Sequence, residues 1–130
     1  IGAVAGGGKG AQPHVVEKAG NGLSGYSAKT SFTDQLMDSE TAAIIQEFMR
    51  NNVQSFYGDS NFPGLTVCAK TGTAEMDGDK ASTAMLTGFA MDEDYPLAFI
   101  VCVEEGGYGR STCVPIASKV LEACKKILDN

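Results

Sequence analysis

The sequence predicts an α+β fold in which a C-terminal helix packs on an antiparallel sheet. Three apolar segments of strand length, at residues 65–73, 81–91 and 97–103, follow one another with short polar turns between them. Segments with apolar residues at helical spacing lie on either side of this run. Short links favour antiparallel pairing of successive strands, and helices outside such a run are typical of the α+β class.

The first thirty positions predict the end of a helix and a hairpin. Residues 1–5 are apolar and run into Gly6, Gly7 and Gly8, a pattern typical of a helix that ends at glycine. We expect from this start that the chain continues a longer polypeptide, with any membrane anchor upstream. Residues 14–18 and 24–30 predict two short strands, because the pair Asn21-Gly22 between them favours a tight hairpin turn.

A first long helix is predicted to begin at Ser39, whose hydroxyl can cap the free N–H groups of the first turn, and to end in the polar loop 57–61. A second is predicted to begin near Pro115, which is tolerated in a first turn. The apolar face of the first comprises Ile45, Phe48, Met49, Val53 and Phe56, and that of the second Ile116, Val120, Leu121, Cys124, Ile127 and Leu128. The uninterrupted apolar run 97–103 predicts a strand covered on both faces.

Composition excludes several classes of function. The hydrophobic fraction of 43%, the charged fraction of 20% and the net charge of -6 indicate a globular, acidic domain. Such a charge offers no electrostatic footprint for nucleic acid or for an anionic membrane surface. No apolar run approaches the roughly 20 residues of a transmembrane helix.

Metal and phosphate sites find little support. The four cysteines form no Cys-x-x-Cys pair, so we expect structural thiols, with a disulfide as the alternative. The glycines of segment 6–10 fit neither phosphate-binding pattern, and helix termination accounts for them. His14 and Glu75 are expected to be surface residues, and the acidic turns lack the spacing of a calcium loop; their members are Asp77, Asp79, Asp92 and Asp94.

Residues 67–75 carry the most informative motif, Val-Cys-Ala-Lys-Thr-Gly-Thr-Ala-Glu, at the end of a predicted strand. The segment resembles the Lys-Thr-Gly motif of penicillin-binding proteins and serine β-lactamases, and its Thr-Ala-Glu continuation resembles class B penicillin-binding proteins. Further similar segments follow the family's order along nearly the whole chain: residues 7–8 with 13–16, residues 88–90, residues 103–107 and residues 115–117. The resemblance implies a partial β-lactamase/transpeptidase-like fold.

The resemblance also implies roles for four residues and no metal or organic cofactor. Lys70 would supply positive charge between the nucleophile and the substrate carboxylate, and Thr71 and Thr73 would offer hydroxyls to that carboxylate. The backbone N–H of Thr73 would be one of two oxyanion donors. Gly72 lacks a side chain, so a peptide or a drug can lie against the strand edge.

Two parts of the family pattern are missing from this sequence. No serine is followed by Lys three positions later or by Asn two positions later, so Ser-x-x-Lys and Ser-x-Asn are both absent. In the family both motifs precede Lys-Thr-Gly. We therefore expect residues 1–130 to be the C-terminal portion of the domain and to be inactive alone. We also expect the chain to self-associate, because the missing strands would leave a sheet edge uncovered.

The implied parent protein is a D,D-transpeptidase that cross-links peptidoglycan stem peptides and is acylated by β-lactams. It would act on the outer side of the bacterial cytoplasmic membrane. Two other classes stay open, a β-lactam-sensing receptor domain and a non-catalytic pseudoenzyme. A carboxypeptidase or a β-lactamase fits the Thr-Ala-Glu continuation less well.

Overall fold

The computed structural model describes residues 1–20, 25–75 and 81–130, and the α+β prediction is confirmed. Its centre is an antiparallel sheet of strands β3 (Val67–Ala74), β4 (Thr83–Ala90) and β5 (Ala98–Val103), with β4 in the middle. The register pairs Val67 with Ala90 and Ala74 with Thr83, so all eight residues of β3 have a partner on β4. Two predicted turns, Asn21-Gly22 and residues 76–80, lie outside the described residues.

The N-terminal part forms small elements. Helix α1 (Gly2–Ala5) ends at Gly6, as the glycine run predicts. Strands β1 (Lys18–Gly20) and β2 (Gly25–Ser27) pair antiparallel, which confirms the hairpin. Both strands are shorter than predicted, and residues 14–17 lie outside them. All six strand residues are exposed, so no buried side chains stabilise a longer hairpin.

Helix α2 (Ser39–Asn52) is capped by Asp38 and not by Ser39, which is its first helical residue. The Asp38 carboxylate accepts the Thr41 N–H at 2.7 Å and the Thr41 hydroxyl at 2.9 Å. These hydrogen bonds favour the charged carboxylate and hold the pKa of Asp38 below its ordinary value. Aspartate and serine are both good N-caps, so the sequence alone placed the cap one residue too late.

The last turn of the helical segment is a π-helical turn, Val53–Tyr57, which carries two buried residues. Val53 and Tyr57 are the buried residues of this turn, whereas Phe56 is exposed. The predicted apolar face was wrong at Phe48, which lies in α2, and at Phe56, because the two side chains are 66% and 55% exposed. Gly58, at φ 86°, then leads into a short 3-10 helix, Asp59–Asn61.

Helix α3 (Gly109–Leu128) packs on one face of the sheet. It begins six residues before Pro115, so the predicted start was wrong and the proline lies in the second turn. The predicted apolar stripe was also displaced, because Ile116, Val120, Ile127 and Leu128 are exposed. The residues that meet the sheet core are Cys113, Val114, Ala117 and Leu121.

Strand β5 is an edge strand with one open face. Its residues alternate between exposed and half-buried, and Ile100 is 66% exposed, so the prediction of cover on both faces was wrong. Helix α3 packs against its half-buried face, and a groove of about 290 Å³ runs between the two elements. Cys102 is exposed as well.

The four cysteines are free thiols in the structure. Burial raises the pKa of Cys68 and of Cys113, so both thiols stay protonated and neither is an activated nucleophile. Within the described parts of the chain, none of the helices has the length and hydropathy of a membrane span.

Candidate functional site

The Lys-Thr-Gly segment lies in the second half of β3, where the strand passes from the core to the surface. Val67, Cys68 and Ala69 are buried, whereas Lys70 and Thr73 are exposed and Thr71 and Gly72 are half-buried. Among the strands of the described residues, β3 pairs with β4 alone. The motif therefore lies on an outer edge of the sheet.

Side chains of the motif alternate between the two faces of the sheet. Val67 and Ala69 belong to the core cluster under α3, so Thr71 and Thr73 lie on that same face. Cys68 packs with Met49 and Phe89 on the opposite face, the face of Lys70 and Gly72. A ligand lying along this edge would thus have Lys70 on one side and the two threonines on the other.

The backbone groups that point away from β4 are those of the odd-numbered residues. Arg50 Nη1 donates to the Val67 carbonyl at 3.1 Å, and Asn52 Nδ2 donates to the Ala69 carbonyl at 3.3 Å. Both side chains come from α2, which thereby covers the first half of the outer edge. By the alternation of an antiparallel strand, the backbone N–H and carbonyl of Thr73 also point outward.

Thr71 has both of its outward backbone groups satisfied by side chains. Its N–H donates to the Tyr57 hydroxyl at 3.0 Å, and its carbonyl accepts the Lys70 ammonium at 2.6 Å. The Lys70 side chain therefore lies back along the edge and places its charge beside Thr71. The next outward N–H is that of exposed Thr73, which makes no hydrogen bond within the described residues, so a positive charge and an amide donor stand next to each other.

Arg50 also fixes the end of α2. Its guanidinium donates to both oxygens of Asp59, at 2.5 and 2.7 Å. Hydrogen bonds from Arg50 lower the pKa of Asp59, and the same contact raises the pKa of Arg50. Because one side chain joins the Asp59 turn, α2 and β3, it sets where the π turn stands against the strand.

The first turn of α3 approaches the motif from the other side. A Cβ on Gly109 would lie 2.8 Å from the Gly72 carbonyl oxygen and 2.5 Å from that of Met85. It would also lie 3.2 Å from the Thr71 Cβ. Only glycine allows the helix to come this close, so Gly109 helps to place the motif strand.

The structure brings the four predicted site residues to one edge and adds others that the sequence did not indicate. Arg50, Asn52, Tyr57 and Gly109 contact the motif strand, yet all are distant from it in sequence. Glu75 and His14 are exposed, and Asp92 accepts hydrogen bonds from the N–H and hydroxyl of Thr66. Asp77 and Asp79 lie outside the described residues, and the rest of the chain holds no cluster of metal-ligating side chains.

Known proteins that are similar to this chain identify its family and fold. The family model of the penicillin binding protein transpeptidase domain matches residues 1–122. The sequence matches no curated protein. Among solved structures, penicillin-binding protein A from M. tuberculosis, in its ceftriaxone acyl-enzyme complex, is 26% identical with a TM-score of 0.80; the match covers 94% of this chain and 30% of that one.

A second similar structure is the D,D-transpeptidase domain of a peptidoglycan glycosyltransferase from Eggerthella lenta. It is 27% identical with a TM-score of 0.80, over 96% of this chain and 30% of that one. The present chain thus spans about 30% of the length of these structures. With a family match over nearly all its residues, the chain belongs to the penicillin-binding protein transpeptidase domain family.

Proposed function

We propose that residues 1–130 form the C-terminal part of a class B serine D,D-transpeptidase domain. The nucleophile of Ser-x-x-Lys and the Ser-x-Asn motif would stand elsewhere in the same polypeptide. The whole protein would cross-link peptidoglycan stem peptides on the outer side of the bacterial cytoplasmic membrane, held there by an upstream anchor. No cofactor enters the proposed reaction.

The observation that carries the proposal is the outer edge of β3 at Thr73. Acyl transfer develops negative charge on the carbonyl oxygen under attack, and fixed N–H donors stabilise that charge. The outward N–H of Thr73 can be one such donor, and the Lys70 ammonium beside Thr71 adds positive charge. Thr71 and Thr73 can bind a carboxylate, while Gly72 leaves room for the ligand.

Acylation is the step in which this edge would take part. The serine oxygen of the other part of the domain attacks the carbonyl carbon, and the amide C–N bond of the peptide or the β-lactam breaks. The serine proton passes to the departing nitrogen. Solved structures of M. tuberculosis penicillin-binding protein A hold ceftriaxone and imipenem as acyl-enzymes, which supports this chemistry for the whole protein.

Intact-mass analysis of the full-length protein after treatment with benzylpenicillin tests the proposal. We expect one adduct on a serine outside residues 1–130. We expect none on the 130-residue chain, because its sequence contains neither Ser-x-x-Lys nor Ser-x-Asn. Lys70→Ala in the full-length protein should slow acylation at least tenfold, because the charge at the edge is lost. The matched control is Lys29→Ala, an exposed lysine outside the motif.

Three results would contradict parts of this proposal. An adduct on the 130-residue chain would disprove its inactivity. Rapid hydrolysis of the adduct would indicate a β-lactamase in place of a transpeptidase. The absence of any adduct on the full-length protein would leave a pseudoenzyme as the better interpretation.

A further inference from the structure

Tyr57 makes the most specific contact with the motif that the proposed chemistry does not yet use. Its ring is buried, with 8% of the residue exposed. Its hydroxyl oxygen lies 3.0 Å from the Thr71 backbone nitrogen and 3.0 Å from Thr71 Oγ1. One phenol therefore contacts both polar groups that Thr71 turns toward this side of the strand.

The direction of these hydrogen bonds follows from which groups can donate. The Thr71 amide can only donate, so the phenol oxygen accepts from it. The phenol also lies within hydrogen-bond distance of Thr71 Oγ1, and either of these two hydroxyls can be the donor in that contact. We assign the phenol as the donor, because Thr71 Oγ1 is the one acceptor within its reach among the described residues.

This chain of donors leaves the Thr71 hydroxyl proton for a ligand. The amide donates to the phenol, the phenol donates to Oγ1, and the threonine O–H is then free to donate away from Tyr57. Each bond polarises the next, which makes the last donor stronger. A carboxylate is the group that such a terminal donor binds best.

The same phenol sets where strand pairing along β3 can begin. Asn52 covers the outward carbonyl of Ala69, Tyr57 covers the N–H of Thr71, and Lys70 covers its carbonyl. A peptide pairing with this edge would meet occupied groups up to Thr71. Thr73 is therefore the first residue whose outward groups a ligand can use.

We propose that Tyr57 is a positioning residue, which holds the Thr71 hydroxyl as a carboxylate donor and makes Thr73 the first open pairing position. The proposal rests on the proposed transpeptidase function. It adds a residue from the π turn, one that touches the threonine and not the reacting atoms.

Acylation kinetics of full-length Tyr57→Phe test the proposal. The variant keeps the ring and loses only the hydroxyl. Acylation by benzylpenicillin should become about tenfold slower, which corresponds to a rise of about 1.4 kcal/mol in the activation free energy. Acylation by its methyl ester, which lacks the carboxylate, should change less than about twofold. Tyr26→Phe, on an exposed tyrosine of β2, is the matched control.

A double-mutant cycle separates positioning from general damage to the fold. Thr71→Val should slow acylation by benzylpenicillin by the same factor as Tyr57→Phe. The combined variant should be no slower than either single variant, because both substitutions interrupt the same series of hydrogen bonds. Equal losses with the acid and the ester, or fully additive losses, would overturn the proposal.

Amide hydrogen exchange on the 130-residue chain supplies a readout that does not depend on activity. Tyr57→Phe should speed exchange at the Thr71 amide about tenfold and leave the Leu86 amide unchanged, because the fold stays intact. Unchanged exchange at Thr71 would overturn the proposal. If the unsubstituted full-length protein is not acylated, the proposed function fails, whereas faster exchange would still support the hold of Tyr57 on Thr71.

Discussion

Replacement of Gly109 by alanine should both destabilise the fold and displace the motif strand relative to α3. The added methyl would stand 2.5 Å from the Met85 carbonyl oxygen and 2.8 Å from that of Gly72. Ordinary contacts of a Cβ begin near 3.4 Å, so the first turn of α3 must move by several tenths of an ångström or more. Both oxygens belong to sheet backbone, and no side-chain rotation can relieve the clash.

The size of the effect follows from overpacking. Insertion of a methyl group into a well-packed site costs about 1–3 kcal/mol, and alanine regains part of this through its higher helix propensity. We expect a net loss of about 2 kcal/mol in the free energy of unfolding. For a domain of this size, that loss lowers Tm by roughly 8 °C.

Thermal unfolding of the 130-residue chain, followed by circular dichroism, measures this loss. Gly2→Ala is the control, because a Cβ at Gly2 would meet nothing within 4 Å. A Tm of Gly109→Ala within about 2 °C of the unsubstituted chain would refute the close approach of α3 to β3. In the full-length protein the same change should slow acylation, because the displaced carbonyl belongs to Gly72.

Two further predictions concern the Arg50–Asp59 ion pair and the edge strand β5. Arg50 lowers the pKa of Asp59 in the folded chain, so this pair stabilises the fold above the ordinary carboxyl pKa of about 3.9 and loses that contribution as pH falls through the lowered value. In urea unfolding across pH 2–6, the free energy of unfolding of Asp59→Asn should therefore fall less steeply as the pH decreases than that of the unsubstituted chain. An equal pH dependence of the two proteins would contradict the stabilising role of the Arg50–Asp59 pair. The chain should associate in the micromolar range through β5, and Ile100→Lys should shift light scattering toward the monomer, whereas Ile44→Lys on α2 should not. A monodisperse monomer without either substitution would contradict this expectation.

The strands and the position of the motif could be predicted from sequence, because both depend on local patterns. A run of apolar residues bounded by polar turns located β3, β4 and β5 to within two residues. The motif residues fall at the end of β3, as predicted. Because alternation along a strand is fixed, knowledge of the edge also gives the face of each side chain.

The helix faces and the supporting side chains could not be predicted in this way. Ile116 and Val120 are as apolar as Val114 and Leu121, and only packing on the sheet decides which pair is buried. The π turn adds a residue to one turn, which no apolar spacing reveals. Tyr57 meets Thr71 across 14 residues, so a signal from local sequence could not indicate the contact.

The two outer edges of the sheet differ, and the difference limits how copies of the chain can join. Side chains occupy the β3 edge at Val67, Ala69 and Thr71, whereas no strand in the described part of the chain pairs with the outer edge of β5. Head-to-tail addition of β5 to the β3 of a next copy would build an open fibre, and the occupied edge opposes it. Pairing of β5 with β5 relates two copies by a two-fold axis and closes at the dimer. The contacts that orient the motif thus also favour a closed assembly over an unlimited one.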